Sequence, residues 1–105
     1  MKSPAQLASA FAQGAALHQA GRLAEAEHIY QQILKAQPKH FESRFLLGVI
    51  HAQRGGHDEA VREFDAALKL NSRNASVHNS RGVALGKLKR VSEALASFED
   101  RKSVV

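Results

Sequence analysis

Glu25-Ala26-Glu27-His28-Ile29-Tyr30 returns as Glu59-Ala60-Val61-Arg62-Glu63-Phe64 and again as Glu93-Ala94-Leu95-Ala96-Ser97-Phe98, each copy 34 residues after the one before. All three copies hold a glutamate, a small residue beside it and an aromatic four positions on. A glycine precedes each copy at the same distance: Gly14, Gly48 and Gly82. A fixed period of this length marks a stack of like units, each leaning on its neighbours, in place of a single globular core.

Helix packing explains the residue types. In each unit the glycine falls inside a first apolar-periodic segment, where a missing side chain lets a neighbouring helix approach. Twelve residues later the alanine does the same for a second segment. The aromatic four residues after the alanine lies on the same helical face and fills the space between units. These positions are read as packing, not chemistry.

The pattern resembles the tetratricopeptide repeat, a 34-residue helix-turn-helix unit with an L-G pair, an alanine, an aromatic and a proline at fixed offsets. In that register residues 1–6 form a lead-in. Residues 7–40 are the first unit, 41–74 the second, and 75–105 an incomplete third. Leu47-Gly48 keeps the L-G pair, whereas Gln13-Gly14 and Arg81-Gly82 do not. Pro38 closes the first unit, and Ser72 stands where the second would have proline. Ala10, Arg44 and His78 occupy the place of the family's early tryptophan. The resemblance implies an all-α solenoid of about six antiparallel helices in a right-handed superhelix.

Caps and turns set the expected boundaries. Ser3 is suited to cap a helix that begins at Pro4 and is ended near residue 20 by Gly21. Further helices are expected over 23–36, 41–54 and 57–70, stopped by Pro38, Gly55-Gly56 and Asn71-Ser72-Arg73-Asn74. Asn74 can cap the next one. The last two are expected near 75–88 and 91–101, with Lys89-Arg90 in the turn where the other units have glycine. Short linkers force antiparallel neighbours.

Composition agrees: 44% hydrophobic with only 6% aromatic residues suits Ala/Leu-rich helices in one 105-residue domain. The absence of cysteine excludes disulfides and thiolate metal sites. The start carries no sustained apolar run, so neither a secretory signal nor a membrane span is expected, and the cytoplasm is the expected compartment. The net charge of +5 is concentrated in the third unit. Arg81, Lys87, Lys89 and Arg90 lack interleaved aromatics and are read as a solvated helix end, not a nucleic-acid surface. His18, His28, His40, His51, His57 and His78 include no pair at i, i+4 and no H-E-x-x-H, so no metal site is expected. No nucleophile–base set, phosphate loop or facing carboxylate pair can be assembled. The chain is read as a non-enzyme without cofactor.

Function is therefore sought in surface shape. In the family it resembles, the first helix of each unit lines a concave groove that holds extended or helical peptides. Carried over by position, the lining is Ala8, Phe11, Ala15, His18 and Gln19, then Glu42, Phe45, Val49, Ala52 and Gln53, then Ser76, Asn79, Val83, Gly86 and Lys87. Phe11 and Phe45 make an apolar stripe with Val49 and Val83, rimmed by His18, Gln53, Asn79 and Lys87. The alternative is that the two phenylalanines fill space between helices. Phe11 and Ala15 stand where carboxylate-clamp members of the family have lysine and asparagine, so no clamp is expected. The asparagine ladder of O-linked N-acetylglucosamine transferase arrays is replaced by Ala12, Leu46 and Ser80.

The wording of residues 17–38 and Leu46-Leu47-Gly48-Val49-Ile50 nonetheless resembles N-terminal arrays of bacterial SPINDLY-type glycosyltransferases. Two functions follow: an adaptor binding a protein segment in the groove or, alternatively, a truncated substrate-presenting array of such a transferase. After Glu99 the repeat breaks, with Asp100, Arg101 and Lys102 at positions that carry Ala66, Ala67 and Leu68 in the second unit. Asp-Arg-Lys-Ser-Val-Val before a stop is also the translation of a sequencing-library adapter, so residues 100–105 are expected to be non-native and the natural chain to continue. The last helix would then leave Val91, Leu95 and Phe98 uncapped, favouring fraying of 96–105 or self-association through the third unit.

Overall fold

Two left-handed glycines punctuate the chain. Gly21 (φ 79°) and Gly55 (φ 84°) are the only residues with positive φ among those described. Each ends a helix where a side chain would be strained. The computed structural model describes the backbone of residues 3–103 and the side chains of 3–95. It contains α1 (Pro4–Gln19), α2 (Leu23–Ala36), α3 (Phe41–Gln53), α4 (His57–Leu70) and α5 (Ala75–Ser103).

Ser3 and Asn74 cap as expected, and His40 adds a cap that was not expected. Ser3 Oγ accepts from the Gln6 amide at 3.2 Å while Gln6 Oε1 accepts from the Ser3 amide at 2.8 Å, a reciprocal box with Pro4 just inside it. His40 Nδ1 accepts from the Ser43 amide at 3.2 Å at the head of α3. Asn74 Oδ1 accepts from the Val77 amide at 3.1 Å at the head of α5.

The third unit departs from expectation. In place of about six helices there are five among the described residues, because α5 runs through Lys89-Arg90 without a turn. The physical reason lies in the period. Gly21 and Gly55 are 34 residues apart, and 34 further on stands Lys89. A lysine resists the left-handed conformation that turns the chain in units one and two, whereas lysine, leucine and alanine favour helix. Residues 75–88 and 91–101 are therefore joined in line.

Burial follows the repeat. The first core joins Leu7 of α1, Ala26, Tyr30 and Ile33 of α2, and Ile50 of α3; the second joins Ala60, Phe64 and Ala67 of α4 with Val77 and Ala84 of α5. The second helix of each unit is thus sealed by the first helix of the next, the nearest-neighbour coupling expected of a solenoid. Helices pack in sequence order, with a lesser contact between α3 and α5, giving an elongated body of 63 × 29 × 21 Å. Ion pairs cross between helices: Arg54–Glu27 at 2.7 Å, Arg44–Glu63 at 3.3 Å and Arg81–Asp65 at 2.6 Å. All are partly exposed, so each contributes at most about 1 kcal/mol. None of the described helices is long and apolar enough to cross a membrane.

Tyr30 and Phe64 are equivalent and both fully buried, but the Tyr30 hydroxyl has no hydrogen-bond partner. Tyr30→Phe is expected to stabilise the chain by about 1 kcal/mol, because a buried unpaired hydroxyl costs more than the methine-like hydrogen replacing it. Burial also holds the Tyr30 phenol above its ordinary range. Its folded value then exceeds its unfolded one, so its contribution is intact below the ordinary phenol range and is lost as pH rises through the folded value. Thermal melts in alkaline buffers are expected to fall more steeply for the wild type than for Tyr30→Phe. Parallel curves would show that the phenol is solvated.

Candidate peptide-binding groove

Two hollows lie on α1, α3 and α5, the helices that carry the expected lining residues. Between α1 and α3 lies an open cleft of about 430 Å³ lined by Ala15, His18, Gln19, Tyr30, Leu46 and Gln53. His18 Nε2–H donates to Gln53 Oε1 at 2.7 Å, joining the two helices across the cleft. The Tyr30 ring meets His18 edge-on, with centroids 6.3 Å apart. The cleft therefore offers apolar surface from Ala15 and Leu46 beside the polar pair His18 and Gln53, a surface able to grip one apolar side chain and the amide groups beside it.

A second hollow, of about 460 Å³, runs along α5 beside His78, Asn79, Gly82, Val83, Gly86, Lys87 and Arg90. Val83 is 54% exposed, and Gly82 and Gly86 have nothing within 4 Å of where a Cβ would be. Two cations at one end make this hollow suited to an acidic segment. Arg81, by contrast, is engaged with Asp65 at 2.6 Å, and Lys89 lies 4.0 Å from Glu93, so the basic run is partly compensated.

The expected lining divides into three groups. Ala15, His18, Gln19 and Gln53 come together in the first cleft, and Asn79, Val83 and Lys87 in the second. Phe11, Phe45 and Val49 line neither and are half-buried. Phe11 packs on Tyr30 with ring centroids 5.8 Å apart and on His40 at 5.3 Å. Phe45 packs on Phe64 at 5.8 Å and stacks on Phe41 at 6.4 Å, and Val49 lies against the second core. Tyr30 and Leu46 complete the first cleft without having been expected there. For Leu46 a signal existed, since it holds one of the positions that carry the asparagine ladder in transferase arrays. For Tyr30 there was none beyond its packing role.

The histidines are spread out. His78 Nε2 lies 2.7 Å from the Ser72 carbonyl, His40 caps α3 and His57 opens α4. Among the described residues no three of His, Cys, Asp and Glu gather into a set able to hold a metal ion.

A tetratricopeptide-repeat model matches residues 11–63, and a TPR-repeat model matches 50–89. Solved structures of MamA superpose on the chain. A point mutant of MamA does so with a TM-score of 0.74 at 27% identity, over 98% of this chain and 75% of that one. MamA AMB-1 gives 0.74 at 29% identity over 92% and 57%, and MamA MSR-1 gives 0.73 at 27% over 96% and 61%. The chain thus spans a little over half to three quarters of the MamA chains it resembles. No curated protein matches it. These matches concern the repeat and its scaffold, not the likeness to transferase arrays. On repeat spacing, helical architecture and model match together, the chain belongs to the tetratricopeptide-repeat family of helical protein-interaction scaffolds.

Proposed function

We propose that the chain is a non-enzymatic adaptor that holds a segment of another protein along the inner faces of α1, α3 and α5. The observation that carries this is the cleft of about 430 Å³ bridged by His18 and Gln53, with a second hollow beside Val83 and Lys87. A peptide lying across both would seat an apolar side chain over Ala15 and Leu46. It would direct an acidic one toward Lys87 and Arg90, consistent with the net charge of +5.

Peptides selected from a random library on the immobilised chain, then titrated by calorimetry, test the proposal. Ala15→Arg obstructs the first cleft and Val83→Asp reverses the chemistry of the second. Each is expected to weaken binding by about tenfold or more, on the order of 1.4 kcal/mol, with helicity retained. Gln32→Arg, on an exposed position of α2 outside both hollows, should bind as the wild type does. Unchanged affinity in both groove variants would place the peptide elsewhere.

A further inference from the structure

We infer that the hollow on α5 is the vacant place of a repeat's second helix, and that its occupant is a helix of another protein carrying a glutamate, a small residue next to it and an aromatic four positions further on. This rests on the adaptor reading and names the segment that its second hollow takes. The molecule holds two filled counterparts of that hollow. Three of its lining residues stand 34 positions after residues of α3 that α4 covers: Gly82 corresponds to Gly48, Val83 to Val49 and Gly86 to Ala52. A Cβ on Gly48 would lie 2.6 Å from Phe64 Cε1, and Val49 and Ala52 pack against the core that holds Ala60 and Phe64. In unit one Gly14 is covered in the same way, a Cβ there falling 2.9 Å from Tyr30 Cε1. On α5 the equivalent face is bare. Gly82, Val83 and Gly86 are all exposed, and neither glycine meets another part of the chain within 4 Å of where a Cβ would be.

Among the described residues no helix of the chain's own fills this place, because α5 runs straight through Lys89-Arg90 where units one and two reverse at Gly21 and Gly55. The filled counterparts define the helix that fits. Short turns make α2 and α4 antiparallel to the helices before them, so the occupant runs antiparallel to α5. With its aromatic over Gly82, it passes Gly86 one turn earlier, and a small residue belongs there, as Ala26 and Ala60 stand one turn before Tyr30 and Phe64. Its first turn then comes to the end of the hollow where Lys87 and Arg90 stand. The first turns of α2 and α4 are acidic, with Glu25 in one and Asp58 and Glu59 in the other. A glutamate directly before the small residue therefore brings its carboxylate to two cations while also favouring the N-terminus of its own helix.

A fluorescent peptide of residues 57–70, the helix α4 itself, tests the inference. A lactam from Asp58 to Arg62→Lys, both positions exposed in the array, holds so short a peptide helical. Fluorescence anisotropy against the 105-residue chain is expected to show saturable binding. Gly82→Leu fills the bare face where the single chain has free space, and should raise the dissociation constant by about tenfold or more, as should Phe64→Ala in the peptide. Arg90→Glu should weaken binding, and Glu59→Lys in the peptide should restore it. Ala15→Arg, in the first cleft, should bind the α4 peptide as the wild type does. An absence of saturable binding, or binding indifferent to Gly82→Leu, would overturn the inference. So would a free chain that light scattering shows to be a dimer dissolved by the peptide, since a second copy would then hold the place. Library peptides lost to Ala15→Arg but kept by Gly82→Leu would leave the adaptor standing and refute this occupant. An α4 peptide lost to Gly82→Leu, with library peptides indifferent to Ala15→Arg, would support this occupant and remove only the first cleft from the adaptor reading.

Discussion

Phe64→Ala is expected to lower the unfolding free energy by about 3–5 kcal/mol, the usual loss when a fully buried aromatic leaves a cavity. Phe64 is 1% exposed and stands at the meeting point of three helices. Its ring covers Gly48 of α3, packs on Phe45 at 5.8 Å, and belongs to the core shared by Ala60 and Ala67 of α4 with Val77 and Ala84 of α5. A chain of this size has roughly 5–15 kcal/mol of total stability, so the loss is a large share of it. Because a repeat array is coupled only between neighbours, the loss should also be local. Amide exchange is expected to accelerate in α4 and the first half of α5 well before α1 and α2. Uniform acceleration across all the helices would show instead that the array unfolds as one unit.

The same residues show how much was legible beforehand. Those that determine units one and two act locally. Pro38 and Gly55-Gly56 terminate helices by backbone chemistry alone, and Ser3 and Asn74 cap through hydrogen bonds to residues three positions away. The described limits of α2 and α4, Leu23–Ala36 and His57–Leu70, therefore coincide with those expected. The turn expected at Lys89-Arg90 came from the period, but a period does not turn a chain. Reversal needs a residue that tolerates positive φ, and Lys89 stands where Gly21 and Gly55 provide it.

The two hollows were legible to a lesser depth. Ala15, His18 and Gln53 were named by carrying positions over from the family the chain resembles, and periodicity says only which residues share a helical face. Whether a side chain there faces solvent or lies down on its neighbour depends on the distance between helices, which no periodicity contains. Phe11 and Phe45 accordingly lean on Tyr30 and Phe64. The ion pairs Arg44–Glu63 and Arg81–Asp65 were equally hidden, since each depends on how two helices cross.

Alanine scanning of the glycine series is expected to give opposite signs at equivalent positions. Glycine inside a helix costs about 1 kcal/mol relative to alanine, so each substitution begins with that gain. At Gly82 nothing opposes it: the new methyl meets no atom within 4 Å, and Gly82→Ala should stabilise the chain by about 1 kcal/mol. At Gly48 the methyl would fall 2.6 and 2.8 Å from two Phe64 ring carbons and 3.2 Å from Glu63 Cβ, closer than carbon atoms pack. Phe64 is enclosed on every side and has nowhere to turn, so α3 and α4 must separate. Overpacking of this kind costs about 1–3 kcal/mol, enough to outweigh the helical gain, and Gly48→Leu should cost more than Gly48→Ala. Gly14, at 2.9 Å from Tyr30 Cε1, is expected to fall between the two. Denaturant titrations of the three alanine variants at low concentration give the order directly: Gly82→Ala above wild type, Gly14→Ala below it and Gly48→Ala lowest. If Gly48→Ala matched Gly82→Ala, α3 would not pack on α4 through Phe64, and the register of the second repeat would have to be redrawn.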